Sequence, residues 1–295
     1  MKKFCLRVYS AWCRLLTRIS PRLNNQFVNL VFYHRFLNLK HPKTFHEKLV
    51  WLKLNRYIHD PLVKQCADKF AVREYIEKNG LNHLLVPLIA SYNHVNDVKW
   101  EELPQQFAMK LNYGCGYNII CPDKSKKDFV EMKNQLNKWL KEKDYFYLNK
   151  AELQYKDVNL KIIVERFLQP SKGNLPADYK VYCFNGEPRA ILYMEDRGED
   201  TKALFFDTKW NYISEPTNGR YTHHAELPER PLCLEEMLED SRILAKPFPY
   251  VRVDYYYVNE KLYFGEMTFT PAGGLFASEC LVDGKPMGEL LDIGL

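Results

Sequence analysis

The stretch VRVDYYYVNEKLYFGEMTFTPAGG, residues 251–274, sets Arg252, Asp254, Glu266 and Thr268 into two runs otherwise rich in aromatic and β-branched residues. Such runs, separated by Asn259-Glu260-Lys261, read as a β-hairpin. With a three-residue turn, Val258 faces Leu262 and Asp254 lies opposite Glu266, so both acids share a face with Arg252 and Thr268. Facing carboxylates repel and raise each other's pKa unless a cation joins them. Mg²⁺ meets that need, because it takes one or two carboxylates together with phosphate oxygens. A salt bridge from Arg252 to either acid on a solvated face meets it equally well. A two-residue turn puts the acids on opposite faces and removes the metal reading.

A second candidate is QFAMKLNYGCGYNII, read as strand, glycine loop and strand, with Lys110 at the end of the first strand. Gly114 and Gly116 let a backbone bend over a phosphate, and Lys110 supplies charge; a hairpin with a glycine bulge is the alternative. The G-x-x-x-x-G-K-[ST] pattern is absent, and no third glycine completes a dinucleotide fingerprint. The eight cysteines (5, 13, 66, 115, 121, 183, 233 and 280) include no C-x-x-C pair. They read as reduced thiols of a cytosolic protein. His223-His224 reads as part of a solvated polar loop, and no H-E-x-x-H motif occurs.

The elements that must carry these residues are mixed. The chain has 295 residues, 46% hydrophobic and 27% charged, the composition of a globular protein with two or three lobes. No run reaches the ~18 apolar residues of a membrane span. A net charge of +5 suits an anionic small ligand or a membrane surface as well as nucleic acid. Residues 1–23 place Arg7, Arg14, Arg18 and Arg22 among Phe4, Val8, Trp12, Leu15, Leu16 and Ile19. That spacing predicts a basic amphipathic helix, packed on the body of the protein or lying on an anionic bilayer. Arginines interrupt any apolar core of a signal peptide. The segment DPLVKQCADKFAVREYIEKNG predicts one helix from the Asp60 cap and Pro61 to Gly80. Helices are also expected over 123–143 and 232–248, with strands over 83–92, 161–170 and 178–197, the last turning at Asn185-Gly186. The fold class is α+β with largely antiparallel sheets.

With these segments in order, the chain resembles the ATP-grasp superfamily, and within it the TupA-like branch of surface-polysaccharide biosynthesis. The resemblance runs from about Pro42 to Gly274 and rests on TFHEKLVWLK, ADKFAVREYI, QFAMKLNYGCGYN, IIVERFL, DYKVYCFNGEP and FGEMTFTPAGG. It implies two antiparallel-sheet lobes clasping ATP after a helical N-terminal region. The expected divisions are 1–40 (basic helix), 41–105 (N-terminal lobe), 106–170 (small lobe with flap and adenine hinge) and 171–295 (large lobe with the metal hairpin).

The resemblance also implies roles. Lys69 and Lys110 contact phosphates, and the Gly114-Cys115-Gly116 flap closes over them. Glu165 and the backbone at Phe167 and Leu168 read adenine, Asp178 lies near the ribose, and Lys180 points at the γ-phosphate. Arg252 serves the transferred phosphoryl, while Asp254, Glu266 and Thr268 hold Mg²⁺. Thr268 departs from the asparagine usual in the superfamily, which puts a second ion in doubt. Arg197 is a candidate for binding an anionic substrate, or else it pairs with Glu195 or Asp196. The implied reaction joins a carboxylate to an amine with ATP and Mg²⁺ through an acyl-phosphate, on a nucleotide- or lipid-linked sugar. It is placed in the cytoplasm at the inner face of the membrane, with no nucleic-acid partner. A phosphotransferase on the same fold is the first alternative. A glycosyltransferase is the second, and the absence of any D-x-D pair counts against it.

Overall fold

The computed structural model describes residues 2–170, 175–195, 201–216, 226–275 and 280–295, with the side chains of 2–4 excepted. In chain order its helices are α1 (Lys2–Ile19), α2 (Pro21–Tyr33), α3 (Phe45–Leu52), α4 (Pro61–Ala67), α5 (Val72–Lys78), α6 (Phe129–Lys141), α7 (Lys143–Lys150), α8 (Leu234–Ala245) and α9 (Met287–Leu290). Its strands are β1 (Leu88–Tyr92), β2 (Phe107–Leu111), β3 (Asn118–Cys121), β4 (Ile162–Arg166), β5 (Asp178–Phe184), β6 (Glu187–Glu195), β7 (Lys202–Phe206), β8 (Tyr212–Ser214), β9 (Tyr250–Val258), β10 (Lys261–Thr268), β11 (Leu281–Val282) and β12 (Lys285–Pro286). Every strand pair is antiparallel.

The chain forms two compact units that interleave along the sequence. The first holds residues 1–36, 54–73 and 86–167; the second holds 37–53, 74–85 and 168–295. The first is built on a four-stranded sheet of order β1-β4-β2-β3. Its central strand β4 buries Ile162, Ile163 and Val164, the continuous apolar run expected of a strand covered on both sides. The second unit has a six-stranded sheet of order β10-β9-β5-β6-β7-β8. One face of it, with Val181, Cys183, Val251, Val253 and Tyr255 fully buried, packs under α8. Helix α8 turns Leu234, Met237, Leu238, Ser241 and Leu244 inward, and its Ser241 hydroxyl donates to the Tyr255 hydroxyl at 3.0 Å. The opposite face carries the polar residues of the hairpin.

Three sequence expectations change. The helix expected from Pro61 to Gly80 breaks into α4 and α5, because the Asp68 carboxylate accepts from the backbone N–H of Phe70 and Ala71 and caps a new start. The β9–β10 turn has two residues, not three: Val258 pairs with Lys261, and Asn259 and Glu260 take φ of 50° and 58°. Helix α1 forms and packs, but not through its apolar stripe. Cys13 and Thr17 are buried against the unit while Val8, Trp12, Leu15 and Ile19 are exposed. His223, His224 and Arg197 lie outside the described residues.

Candidate functional site

The two-residue turn should have put Asp254 and Glu266 on opposite faces. A β-bulge reverses that consequence. Pairing proceeds regularly to Phe264 opposite Tyr255, skips Gly265, and resumes with Glu266 opposite Asp254 and Thr268 opposite Arg252. The extra residue shifts the alternation by one, so the acids share a face after all. Gly265 fits because a Cβ there would lie 3.0 Å from the Asp254 carbonyl oxygen. On the other side of β9, Lys180 pairs with Asp254, and Asp178 precedes it by two residues on the same face. Three adjacent strands thus present Asp178, Lys180, Arg252, Asp254, Glu266 and Thr268 together.

Their hydrogen bonds close into one network. Arg252 grips Asp254 with two bonds, Nε to Oδ1 and Nη2 to Oδ2, both 2.6 Å. Lys180 Nζ lies 2.7 Å from Asp254 Oδ2 and 3.2 Å from Asp178 Oδ2. Thr268 Oγ1 donates to Glu266 Oε1 at 3.0 Å and accepts from Arg252 Nη2 at 3.2 Å. Asp254 is 3% exposed, whereas the Glu266 side chain retains 29% exposure and forms the open edge. Burial pulls the Lys180 ammonium down, but Asp254 and Asp178 outweigh it and hold it above its ordinary value. Burial also acts against the Arg252 charge, and Asp254 more than compensates. Three acids against two cations leave this face one negative charge. Carboxylate and hydroxyl oxygens on a face of that sign fit a hard divalent cation.

The first unit carries a group of opposite sign. Lys110 on β2 and Glu165 on β4 are diagonal neighbours on one face, and Lys110 Nζ lies 2.7 Å from Glu165 Oε2. Arg73 reaches Glu165 Oε1 at 3.3 Å and the Val86 carbonyl at 3.1 Å. Lys69 Nζ donates to the Gly114 carbonyl at 2.5 Å. Arg73 and Lys110 outnumber Glu165 by one charge, and Lys69 adds a cation at the glycine loop, next to the buried Asp68; the cationic surplus suits a polyanion. Gly114 and Gly116 have φ of 68° and 78°, where side chains are disfavoured, and Cys115 between them is exposed. A Cβ at Gly114 would meet the Tyr117 ring at 3.0 Å, whereas none of the surroundings come within 4 Å at Gly116. The base of the loop is therefore held by the Tyr113, Tyr117, Phe146 and Trp139 rings while its tip stays open.

A family model described as TupA-like ATPgrasp matches residues 47–283. The chain belongs to this family. Solved structures are less similar. D-alanine–D-alanine ligase from Bacillus anthracis matches at 18% identity with a TM-score of 0.45, over 70% of this chain and 58% of that one. L-amino acid ligase from Bacillus licheniformis matches at 12% identity with a TM-score of 0.42, over 77% of this chain and 49% of that one. N5-carboxyaminoimidazole synthase from Aspergillus clavatus matches at 12% and 0.40, over 70% and 45%. The chain thus spans about half the length of these structures. No curated protein matches it.

On this TupA-like ATP-grasp chain, the sequence-derived residues fall into the two groups just described. The second unit brings together Asp178, Lys180, Arg252, Asp254, Glu266 and Thr268, and the first brings together Lys69, Lys110, Glu165 and the Gly114–Gly116 loop. The chain passes from the first unit to the second between Phe167 and Leu168. Five supporting residues carried no role from the sequence: Arg73, described above, and Asp68, Asn112, Lys53 and His46. Asn112, fully buried, donates to Asp68 Oδ2 at 2.7 Å, and its carbonyl accepts from the Lys69 backbone N–H at 2.8 Å. In the second unit, Lys53 Nζ donates to the Gly273 carbonyl at 2.6 Å and His46 Nδ1 lies 2.5 Å from the Gly274 carbonyl oxygen. These contacts fix the PAGG turn, where Ala272, Gly273 and Gly274 all have positive φ. The signal available for Lys53 and His46 was position: each stands on the apolar side of TFHEKLVWLK, where a polar residue needs a partner.

Proposed function

We propose that this protein is an ATP- and Mg²⁺-dependent carboxylate–amine ligase that releases ADP and phosphate. The observation that carries the reading is the bulge-corrected pairing of Asp254 with Glu266, with Arg252 and Lys180 on the same face. Family membership supports it, since the residues the resemblance singles out for nucleotide chemistry are those that assemble.

In this reading Lys69, Lys110 and the Gly114–Gly116 loop bind the phosphates, and Glu165 with the backbone at Phe167 and Leu168 holds the adenine, with Asp178 toward the ribose. Asp254 and Glu266 hold Mg²⁺, and the Thr268 hydroxyl orients Glu266. When bound there, the ion would neutralise phosphate charge. An acceptor carboxylate oxygen attacks the γ-phosphorus and the bond to ADP breaks, with Arg252 and Lys180 stabilising the charge on the moving group. The amine nitrogen then attacks the acyl carbon, phosphate leaves, and the ammonium proton passes to solvent. Closure of the Gly114–Gly116 loop excludes water, which would otherwise consume the acyl-phosphate. The acceptor in this reading is a uronic acid or amino-acid carboxylate of a surface polysaccharide precursor, as the resemblance implies.

Product analysis tests this. ADP and phosphate should form in equal amounts only when acid and amine are both supplied, with an amide as product. A stable phosphorylated product would replace the ligase with a phosphotransferase, and transfer of a sugar from a nucleotide would replace it with a glycosyltransferase. Normal ATP turnover by Glu266→Gln would remove the metal role assigned here.

A further inference from the structure

Helices α1 and α2 are built inside out. Helix α2 buries Asn24, Asn25 and Asn29, while Leu23 and Leu30 on its other side are exposed. The side-chain nitrogens of these buried asparagines all donate within the unit. Asn24 Nδ2 donates to the Cys13 carbonyl at 2.6 Å and to Thr17 Oγ1 at 2.7 Å, and Thr17 Oγ1 donates to the Leu148 carbonyl of α7 at 2.6 Å. On α1, Val8, Trp12, Leu15 and Ile19 recur at i, i+4, i+7 and i+11 and make one stripe. That stripe faces solvent, with Trp12 53% and Ile19 65% exposed. Burying polar side chains while exposing apolar ones is unfavourable in water, so the exposed stripe requires an apolar environment.

Charge identifies that environment. No acidic residue precedes Glu47, whereas residues 1–46 contain nine lysines and arginines. The remainder has 33 basic against 37 acidic residues and is net negative. Arg7, Arg14 and Arg18 form a second stripe next to the apolar one. Arg14 turns inward to Asn149 and the Tyr145 ring, while Arg7, Arg18 and Arg22 are exposed. An apolar stripe edged by arginines suits the interface of an anionic bilayer. A second copy of the same segment would bring like charge against like. No helix among the described residues is long and apolar enough to cross a membrane.

We propose that the α1–α2 hairpin docks this protein on anionic lipid, with Val8, Trp12, Leu15, Ile19, Leu23 and Leu30 entering the interface and Arg7, Arg18 and Arg22 meeting the headgroups. The docking itself does not depend on the chemistry proposed above; where that reading holds, it brings the protein to a lipid-linked acceptor.

The test is flotation of the full chain with vesicles of neutral phosphatidylcholine, alone or with one third phosphatidylglycerol. Binding to the anionic vesicles is expected, weakening as salt rises. Replacing Arg7, Arg18 and Arg22 by Gln should weaken it by roughly a hundredfold, from about fivefold per charge. The pair Trp12→Glu and Leu15→Glu should abolish it while leaving the circular dichroism and ATP turnover unchanged, since Trp12 is 53% and Leu15 46% exposed and neither belongs to the proposed site. Absence of binding to anionic vesicles, or undiminished binding by the Glu pair, overturns the proposal. So does a concentration-dependent dimer that the Glu pair returns to monomer, which would assign the stripe to a second copy.

Discussion

At the residue scale, two polar side chains make separable predictions. The Thr268 hydroxyl both donates to Glu266 and accepts from Arg252, so it ties the open edge of the carboxylate pair to its cation. Thr268→Val keeps the shape and removes both bonds. It should lower kcat about tenfold or more, at a stability cost of about 1 kcal/mol. Thr268→Asn supplies an amide oxygen instead and should retain turnover, with half-saturation at lower Mg²⁺; steady-state kinetics over a Mg²⁺ series distinguishes the pair. Asp240 on α8 concerns stability alone. It is 6% exposed, its Oδ2 has no hydrogen-bond partner, and burial raises its pKa to about 6, helped by Glu236 and Glu239 against His83. The folded state therefore holds the proton more tightly than the unfolded one. Stability from this group is full below the unfolded pKa of about 4 and falls as pH rises to about 6. Asp240→Asn should flatten that decline and raise stability at pH 7 by about 1–2 kcal/mol in urea unfolding followed from pH 4 to 8.

At the element scale, the hairpin of β9 and β10 depends on two deviations that cancel. A two-residue turn moves Glu266 to the wrong face, and the bulge at Gly265 moves it back. The sequence made Asp254 opposite Glu266 legible through the residue count between them, yet it could not reveal how that count divides. Asn259-Glu260 carries no Asn-Gly signal for a two-residue turn, and a lone glycine in a strand marks a bulge only weakly. Gly265→Ala brings a methyl within 3.0 Å of a backbone carbonyl, so the strands must part. A loss of about 1–3 kcal/mol is expected, together with a fall in ATP turnover larger than that of an equally destabilised variant elsewhere. Thr44→Ala provides that comparison. Thr44 and Glu47 form a reciprocal cap at the start of α3, and its loss costs about 1 kcal/mol. Helix α4 illustrates the same limit of the sequence from the other side. The apolar period continues through ADKFAVREY, so nothing local announced that Asp68 would stop one helix and cap the next in order to meet Asn112.

At the scale of the whole molecule, periodicity and turn residues disclosed most strands, because antiparallel hairpins keep partners close in sequence. What they could not disclose was interleaving. The chain leaves the first unit after Phe36, returns at Leu54, leaves again after Arg73 and returns at Val86. Composition changes at none of these points, so Arg73 could not be assigned to the same group as Glu165 from sequence, and Lys69 was placed there only by the resemblance. Helix α1 shows a different limit: periodicity located its apolar stripe, but only the buried Asn24 and Thr17 reveal that the opposite side is the packed one. The division of charge between the units gives the last prediction. The group in the first unit is net positive and that in the second net negative, so a nucleotide and its ion should be separable by mutation. A non-hydrolysable ATP analogue at one hundred times its Kd should stabilise the protein by about 2.7 kcal/mol. At roughly 2–4 °C per kcal/mol, that is a Tm rise of about 5–10 °C. Lys110→Met should lose most of the rise whether or not Mg²⁺ is present. Glu266→Gln should keep the part seen without Mg²⁺ and lose only the increment that Mg²⁺ adds. Calorimetry of the two variants, each with and without the ion, measures both effects. An equal loss in the two variants would mean that the carboxylate pair binds no ion of its own.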